Sequence, residues 1–460
     1  MVAIFIDITR YFFLLCGFYF FYSSIKLNKA LYSNDDNNKD FYFNAQRVTI
    51  LLSHLVGFII IVLTKENTLD LTILYIEQVL FFMVIWGIIS KLHYGTNLLL
   101  WNISLYFIQI SFIILTRLDF GYGVRQFRMA LLGYVVALII PKIFHKMTFL
   151  AKLEWVYLVL SIGLLLLVND TINGSKNWMT IGTFSFQPSE FVKIFYVLFI
   201  ASFFRKNFNR NKLLISAFFT AGLVLFLVFQ KDLGTALIFS ILYITLVYIE
   251  TNQPVFFLGG LAAGSVAAFI GYKFFAHVRV RVEAWANPWI DIDNKGYQIT
   301  QSLFAIGAGG WLGAGLTKGL PNKIPVVMTD FIFSAISEEF GNLFSILLIA
   351  TIMIFFLTAI RMSIEVKDHF SFLVSAGISI ILAFQQILII GGVTKFIPST
   401  GVTLPFISYG GTSLIASCIM LGILQGVYLN GNIRDEDEED EEDKEINTRE
   451  ANRKRKTTTK

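Results

Sequence analysis

Apolar runs of roughly the length needed to cross a bilayer recur along almost the whole chain. A helix spanning the ~30 Å hydrocarbon core needs roughly 20 mostly apolar residues. Thirteen stretches of the 460-residue sequence meet that need: 8–25, 48–64, 72–91, 96–116, 126–144, 149–168, 187–204, 213–229, 233–250, 254–275, 331–360, 370–395 and 405–429. Only 15% of residues are charged, against roughly 25% for a soluble domain. The fold class expected is therefore all-α, a polytopic transmembrane helix bundle with the lipid bilayer as solvent. The 47 Phe and 18 Tyr suit lipid-facing and interfacial surface. The first run has a weak positive flank, because Asp7 offsets Arg10, and no clear small-residue cleavage site. It is expected as a retained span.

Short loops rich in Lys and Arg mark the cytoplasmic side. The stretch from Arg205 to Lys212 is the clearest mark; Lys142, Lys146 and Lys152 form a second, and Lys26, Lys29, Lys39 and Arg47 a third. Counting spans keeps all three on one side. It places the tail after residue 430 inside and the amino terminus outside. It also places outside the loops 169–186 and 276–330 and the turn 396–405. The 276–330 connection is the longest in the chain, and connections beyond about 15 residues are usually functional or disordered.

The net charge of +5 hides an acidic run, Asp435 to Glu445, followed by a basic run, Arg453 to Lys456. Such a segment buries too little apolar surface to fold, so residues 431–460 read as a disordered tail. Cys16 and Cys418 both sit in apolar runs, and neither reads as half of a structural disulfide. The five histidines, His54, His93, His145, His277 and His369, are scattered without zinc-ligand spacing. Nothing points to nucleic acid as a partner.

Several polar groups interrupt the apolar pattern. Glu190 and Lys193 open a span behind Gln187-Pro188-Ser189 and share a helix face. Asp232 sits at a break between spans, and Glu338 and Glu339 fall inside the span that begins at Asp330. Ionisable residues in spans are costly and should face the bundle interior or a wet cavity. An ion pair that only fixes helix packing is the other reading. The 276–330 loop sets Arg279, Arg281 and Lys295 beside Glu283, Asp291 and Asp293, with three Trp and many Gly; Lys318 and Lys323 follow. A carboxylate there could take a proton from a substrate hydroxyl, and the cations could offset negative charge on an anionic leaving group. A solvated connector would show the same composition.

The motifs resemble those of a known family. Asn173-Gly174-Ser175-Lys176-Asn177-Trp178 and Gln187-Pro188-Ser189-Glu190 with Lys193 come first. Asn287-Pro288-Trp289-Ile290-Asp291, then Gly296-Tyr297-Gln298 and Gln301-Ser302, follow in the long loop. Next come Thr329-Asp330-Phe331 with Glu338-Glu339, and finally Pro398 to Gly401 with Pro405-Phe406-Ile407-Ser408-Tyr409-Gly410-Gly411. In order and spacing this resembles the SEDS family, the RodA/FtsW/SpoVE group, over about residues 96–430.

The resemblance implies a ten-helix core with both its ends cytoplasmic, leaving residues 1–95 as an extension of about three extra spans. It implies a bacterial plasma-membrane enzyme that polymerises peptidoglycan from lipid II, in elongation, division or sporulation. It implies a class B penicillin-binding protein, a transpeptidase, as partner. Asp291 takes the place of the family's essential loop aspartate and would act as general base, with Asp293 the competitor. Lys176, Trp178, Gln187, Ser189, Glu190, Lys193, Asp232, Arg279, Arg281, Tyr297, Gln298, Gln301, Asp330, Glu338, Ser408 and Tyr409 would line the substrate cavity. The sequence shows no clear metal site and points to no certain cofactor. A divalent cation, Mg or Mn, held between pyrophosphate and a carboxylate fits the same chemistry. The sequence departs from the family pattern at Asn177, where an arginine is usual, and at Lys231, where a proline is usual. Thr400 replaces a lysine found in some division-type members, which leans toward the elongation type. Two rival readings remain: a lipid II transporter using the same charged cavity, and a silent scaffold for a transpeptidase.

Overall fold

The computed structural model describes residues 2–33, 35–92, 95–144, 148–172, 175–182, 184–205 and 208–431. The charged tail, Lys146, Lys206, His93, His145 and the Asn173-Gly174 pair lie outside these residues. The chain opens with α1 (Val2–Tyr32), α2 (Asp36–Thr64) and α3 (Thr68–Leu92). Next come α4 (Leu98–Leu118), α5 (Phe120–Phe144) and α6 (Glu154–Leu166). A short meander of β1 (Asp170–Ile172), β2 (Ser175–Ile181) and β3 (Phe184–Phe186) leads into α7 (Pro188–Phe204). Then follow α8 (Arg210–Phe229), α9 (Leu233–Thr251), α10 (Pro254–Phe274), α11 (Ala276–Ala286) and α12 (Tyr297–Gly309). The chain continues through α13 (Ile332–Phe340), α14 (Asn342–Ile364), α15 (His369–Val393) and α16 (Gly411–Gly431).

Among the described residues, eleven helices are long and apolar enough to cross a membrane. The expected spans 149–168 and 187–204 are shorter than read: α6 has 13 residues and α7 has 17. A short 3-10 turn at Thr148–Lys152 takes the first residues that hydropathy assigned to this span, and α6 ends at Leu166, shortly before the β meander begins at Asp170. The meander, ordered β1-β2-β3 and antiparallel, is the one departure from an all-helical fold among the described residues. Local chemistry sets several boundaries. Asn97 accepts from Leu100 N at 3.1 Å to cap α4 and Asp368 from Ser371 N at 2.9 Å to cap α15, while Pro188 opens α7.

The expected span 331–360 is two helices, which corrects the reading of Glu338 and Glu339 as residues inside a span. Gly341, at φ +93°, breaks the chain between α13 and α14. The segment after α12 pairs with this break through backbone bonds: Ala314 N to Glu338 O at 2.8 Å, Gly315 N to Glu339 O at 3.0 Å and Asn342 N to Gly310 O at 2.9 Å. A Cβ at Gly313 or Gly341 would strike the backbone of the other strand, and both need positive φ.

Helices α1, α2 and α3 pack against the rest of the bundle. Helix α1 lies against α2 and α14, α2 against α4, and α3 against α5. Helix α4 is consequently buried along almost its whole length. A buried polar chain ties these helices together: Trp86 Nε1 donates to Asn102 Oδ1 at 2.9 Å, Asn102 Nδ2 to Gln46 Oε1 at 3.0 Å, and Gln46 Nε2 to Ser24 Oγ at 2.9 Å. Such bonds between helices hold about 0.6 kcal/mol each in lipid. Helix α10 has no buried residue and touches α9 and α11, which suits a lipid-facing element.

One end of the bundle gathers the long connections. Lys318 Nζ reaches Asp7 Oδ1 at 2.6 Å, so the start of α1 lies beside the 276–330 segment. Arg281 Nη1 donates to Ser399 O at 3.2 Å, and Lys176 N to Gln230 O at 3.0 Å. The loops that charge counting assigned to one side thus meet.

Candidate active site

Asp232 organises the first part of the site. It follows Lys231, at φ +64°, and caps α9 through Thr235 N at 3.2 Å. Its other oxygen accepts from Ser189 Oγ at 2.8 Å, Asn177 Nδ2 at 3.0 Å and Gln187 Nε2 at 3.4 Å. The carboxylate is buried, and these donors satisfy a group that would otherwise be costly to desolvate. The meander, the start of α7 and the start of α9 are locked together here. Asn177, placed where the family pattern has an arginine, contributes a neutral amide.

One turn along α7, Lys193 is fully buried and its ammonium has three acceptors. Glu190 Oε1 and Oε2 both lie at 2.9 Å, and Gln385 Oε1 at 3.0 Å. The three N–H bonds of the ammonium are thereby used. Gln385 then donates to Thr403 O at 2.9 Å, holding the segment between α15 and α16. The geometry is that of a buried ion pair acting as a bracket.

Arg281, on α11, brings a further cation to the segment between α15 and α16. It is half-buried, bonds to Ser399 O, and approaches Gly401 together with Asp330. A Cβ on Gly401 would lie 3.5 Å from Arg281 Nη2 and 3.6 Å from Asp330 Oδ2. Burial pulls Arg281 below its ordinary pKa, and Asp330 and Asp232 act against that. Burial pushes the Asp330 carboxyl up to about 6, with the Thr329 hydroxyl and Arg281 opposing. Ser408 and Tyr409 hold this corner through backbone groups. Ser408 Oγ donates to Thr329 O at 2.5 Å, Tyr409 N to Met328 O at 2.8 Å, and Gln126 Nε2 to Ser408 O at 3.1 Å.

Asp291 ends a 3-10 turn, Pro288–Asp291, and is half-buried. Its side chain accepts from Asn294 Nδ2 at 2.8 Å and Lys295 N at 3.5 Å, and its carbonyl from Gly296 N at 2.9 Å. A Cβ on Gly296 would strike Pro288 O, so glycine closes this turn. Asp293 is exposed. Tyr297 reaches Lys323 O at 3.4 Å, Gln298 is exposed and Gln301 half-buried. Lys176 is exposed, while Trp178 is half-buried and pairs with Asp170 across β1 and β2.

The structure therefore joins Gln187, Ser189 and Asp232 in one cluster, Glu190 and Lys193 in a second, and Arg281, Asp330, Ser408 and Tyr409 in a third. The partners of Asp291 are local to its own turn. Glu338, read as cavity wall, accepts instead from Leu320 N at 2.8 Å. Its neighbour Glu339 takes Arg117 Nε at 2.7 Å, and Arg117 Nη2 donates to Gly319 O at 2.9 Å. Glu338 is thus part of a network at the far end of α13, because Gly341 turns the chain there. Of the expected loop cations, Arg279 is exposed and donates to Lys273 O at 2.7 Å, Lys295 pairs with Glu283 at 3.2 Å, and Lys323 is exposed. Sequence reasoning missed Arg117, Gln126 and Gln385, and carried Ser399 and Thr403 only inside or beside the last motif, without a site role. Gln385 left a signal, an amide in the middle of an apolar run. Arg117 left none, since a lone arginine at a span end reads as an interfacial anchor. No group of three or more His, Cys, Asp or Glu that could hold a metal ion occurs among the described residues.

Fold and site define a multi-pass membrane protein whose charged, partly buried site is closed by loops from one end of the bundle. The chain belongs to the FtsW/RodA/SpoVE family, whose model, described as "Cell cycle protein", matches residues 90–432. It is 39% identical over 273 residues to the peptidoglycan glycosyltransferase RodA of Mycobacterium tuberculosis, covering 55% of this chain and 57% of that one. The chain thus spans little more than half of that relative's length. It is 35% identical over 265 residues to the stage V sporulation protein E of Bacillus subtilis, covering 55% and 72%. It is 32% identical over 320 residues to the probable peptidoglycan glycosyltransferase FtsW of Trichlorobacter lovleyi, covering 66% and 82%. Among solved structures, a chain from "Structural coordination of polymerization and crosslinking by a peptidoglycan synthase complex" is similar at TM-score 0.63 and 25% identity, covering 72% of this chain and 97% of that one. The rod shape determining protein RodA of Thermus thermophilus shares the fold at TM-score 0.56 and 24% identity, covering 72% and 96%.

Proposed function

We propose that this chain polymerises peptidoglycan glycan strands from lipid II by inverting glycosyl transfer at the outer face of a bacterial cytoplasmic membrane. The observation that carries the reading is the meeting of separately encoded motif residues at one end of the bundle. Ser189, Asp232, Arg281, Asp330 and Ser399 come from five different segments. Relatives named peptidoglycan glycosyltransferase support the same chemistry.

In this mechanism Asp291 takes the proton of the acceptor sugar hydroxyl. The oxygen attacks the anomeric carbon of the donor, the bond to pyrophosphate breaks, and the configuration inverts. A carboxylate has about four lone-pair sites, so two local hydrogen bonds leave Asp291 capacity to accept a third. Arg281 faces the developing pyrophosphate charge. It is a better candidate than Arg279, because a half-buried cation acts through a lower local dielectric than an exposed one. Asp232 and the Glu190–Lys193 bracket keep the walls in register. A divalent cation would have to be shared between pyrophosphate and one carboxylate. The undecaprenyl tail lies along apolar helix faces, and α10 offers one with no buried residue.

The tail after residue 430 is assigned to the cytoplasm, and residues 1–95 form an extension on the ten-helix core. The partner is a class B penicillin-binding transpeptidase, in keeping with the synthase complex in which the similar solved chain was found. Purified full-length protein given lipid II should yield glycan strands, and Asp291→Ala should abolish them. Lipid II crossing vesicles without polymer would replace the transferase reading with transport.

A further inference from the structure

Helix α13 connects two regions that the transferase reading treats separately. At its start stand Asp330 and the Arg281 corner, with Ser334 Oγ bonded to Ser302 Oγ at 2.7 Å and Ser302 Oγ donating to Val393 O at 2.8 Å. At its end, Glu339 is pinned by Arg117 at 2.7 Å, and the Phe340 ring meets Phe13 of α1 edge-on at 4.9 Å. Phe13 and Phe340 are both buried.

The strand paired with the end of α13 also rests on α1. A Cβ on Gly315 would lie 2.8 Å from Ile6 Cγ2, and Lys318 Nζ reaches Asp7 Oδ1 at 2.6 Å and Ala3 O at 3.1 Å. Helix α1 therefore touches this segment through Ala3, Ile6, Asp7 and Phe13, on one face across about three turns. It lies outside the matched residues 90–432. A helix of nine residues is a rod of about 13 Å. Close-packed interiors transmit a displacement instead of absorbing it.

We infer that α1 is a built-in positioning element: it fixes α13 at one end and thereby sets the Asp330–Arg281 corner at the other. The inference rests on the transferase reading for its catalytic consequence. The residues of α1 touch no reacting atom. They act through α13, and their loss should lower kcat while leaving the KM for lipid II nearly unchanged.

The test uses the full chain with lipid II, recording kcat, KM and the thermal midpoint for each variant. Misplacing a catalytic group by 1 Å can cost about 10²-fold, so Phe13→Ala should lower kcat about tenfold with KM within about twofold. Phe13→Leu should restore most of the rate. The control is Phe20→Ala. Phe20 stacks on Tyr106 of α4 at 3.9 Å, also on α1 but away from α13, and its loss should leave kcat unchanged. Lys318→Asp should lower kcat about twofold, and adding Asp7→Lys should recover it. A wild-type kcat in Phe13→Ala, or an equal loss in Phe20→Ala, overturns the inference. Should Phe13→Ala fail to fold, a wild-type kcat in Lys318→Asp does so. Should the unaltered protein make no glycan, the transferase reading falls first, and hydrogen exchange decides. Faster exchange across 310–341 in Phe13→Ala or Lys318→Asp, with none in Phe20→Ala, upholds the positioning role; equal protection refutes it.

Discussion

Replacing Lys193 by methionine keeps most of the unbranched side chain, one heavy atom shorter, and removes its charge. Lys193 is fully buried and Glu190 nearly so, with both Glu190 oxygens at 2.9 Å from the ammonium. The change strands a carboxylate where the ion pair stood. Breaking a buried pair by removing one partner costs about 3–5 kcal/mol, whereas replacing both partners by well-packed hydrophobic groups of similar volume is often neutral. Lys193→Met should therefore lower unfolding stability by about 3–5 kcal/mol, and Lys193→Met with Glu190→Met should recover most of it. A second effect follows from Gln385. Its Oε1 accepts from Lys193 at 3.0 Å, which orients its Nε2 toward Thr403 O at 2.9 Å. Without the ammonium the 399–413 segment loses an anchor, and Ser399, which accepts from Arg281, lies on that segment. The assay is thermal unfolding in detergent for the two single variants and the double variant, each with lipid II polymerisation alongside. A single variant within about 1 kcal/mol of the unaltered protein would refute the bracket, and so would a double variant no better than the singles. Recovered stability without recovered polymerisation would show that the charge also serves the substrate.

Two further outcomes test the Arg281 corner. Asp330 has its folded pKa raised to about 6 from an ordinary 3.8, so the folded state binds the extra proton between those values. Stability should fall as pH rises from about 4 to about 6, and Asp330→Asn should flatten that slope in pH-dependent unfolding. A slope unchanged in Asp330→Asn would contradict the assignment. Arg281→Ala should reduce kcat about 10²-fold or more, with Arg279→Ala far milder, in the same polymerisation assay. Equal losses would remove the case for a half-buried cation at the leaving group.

Much of the fold was legible in the residues themselves. Each of the thirteen apolar runs overlaps a helix, because a span depends on local composition and length. Lys and Arg counting grouped the loops that the structure brings to one end. Glu190 and Lys193 were readable as neighbours, since three residues along a helix is one turn. The break at Gly341 was not legible. Hydropathy runs across it unchanged, and only the backbone pairing of 310–315 with 338–343 requires positive φ at that glycine. Glu338 and Glu339 were misplaced for the same reason. The site depended still more on tertiary structure. Asp232 meets Ser189 across 43 residues, Lys193 meets Gln385 across 192, and Arg117 meets Glu339 across 222. Periodicity carries no information over such separations. Residue type says that a buried charge needs a partner, while helix packing alone decides which partner it finds.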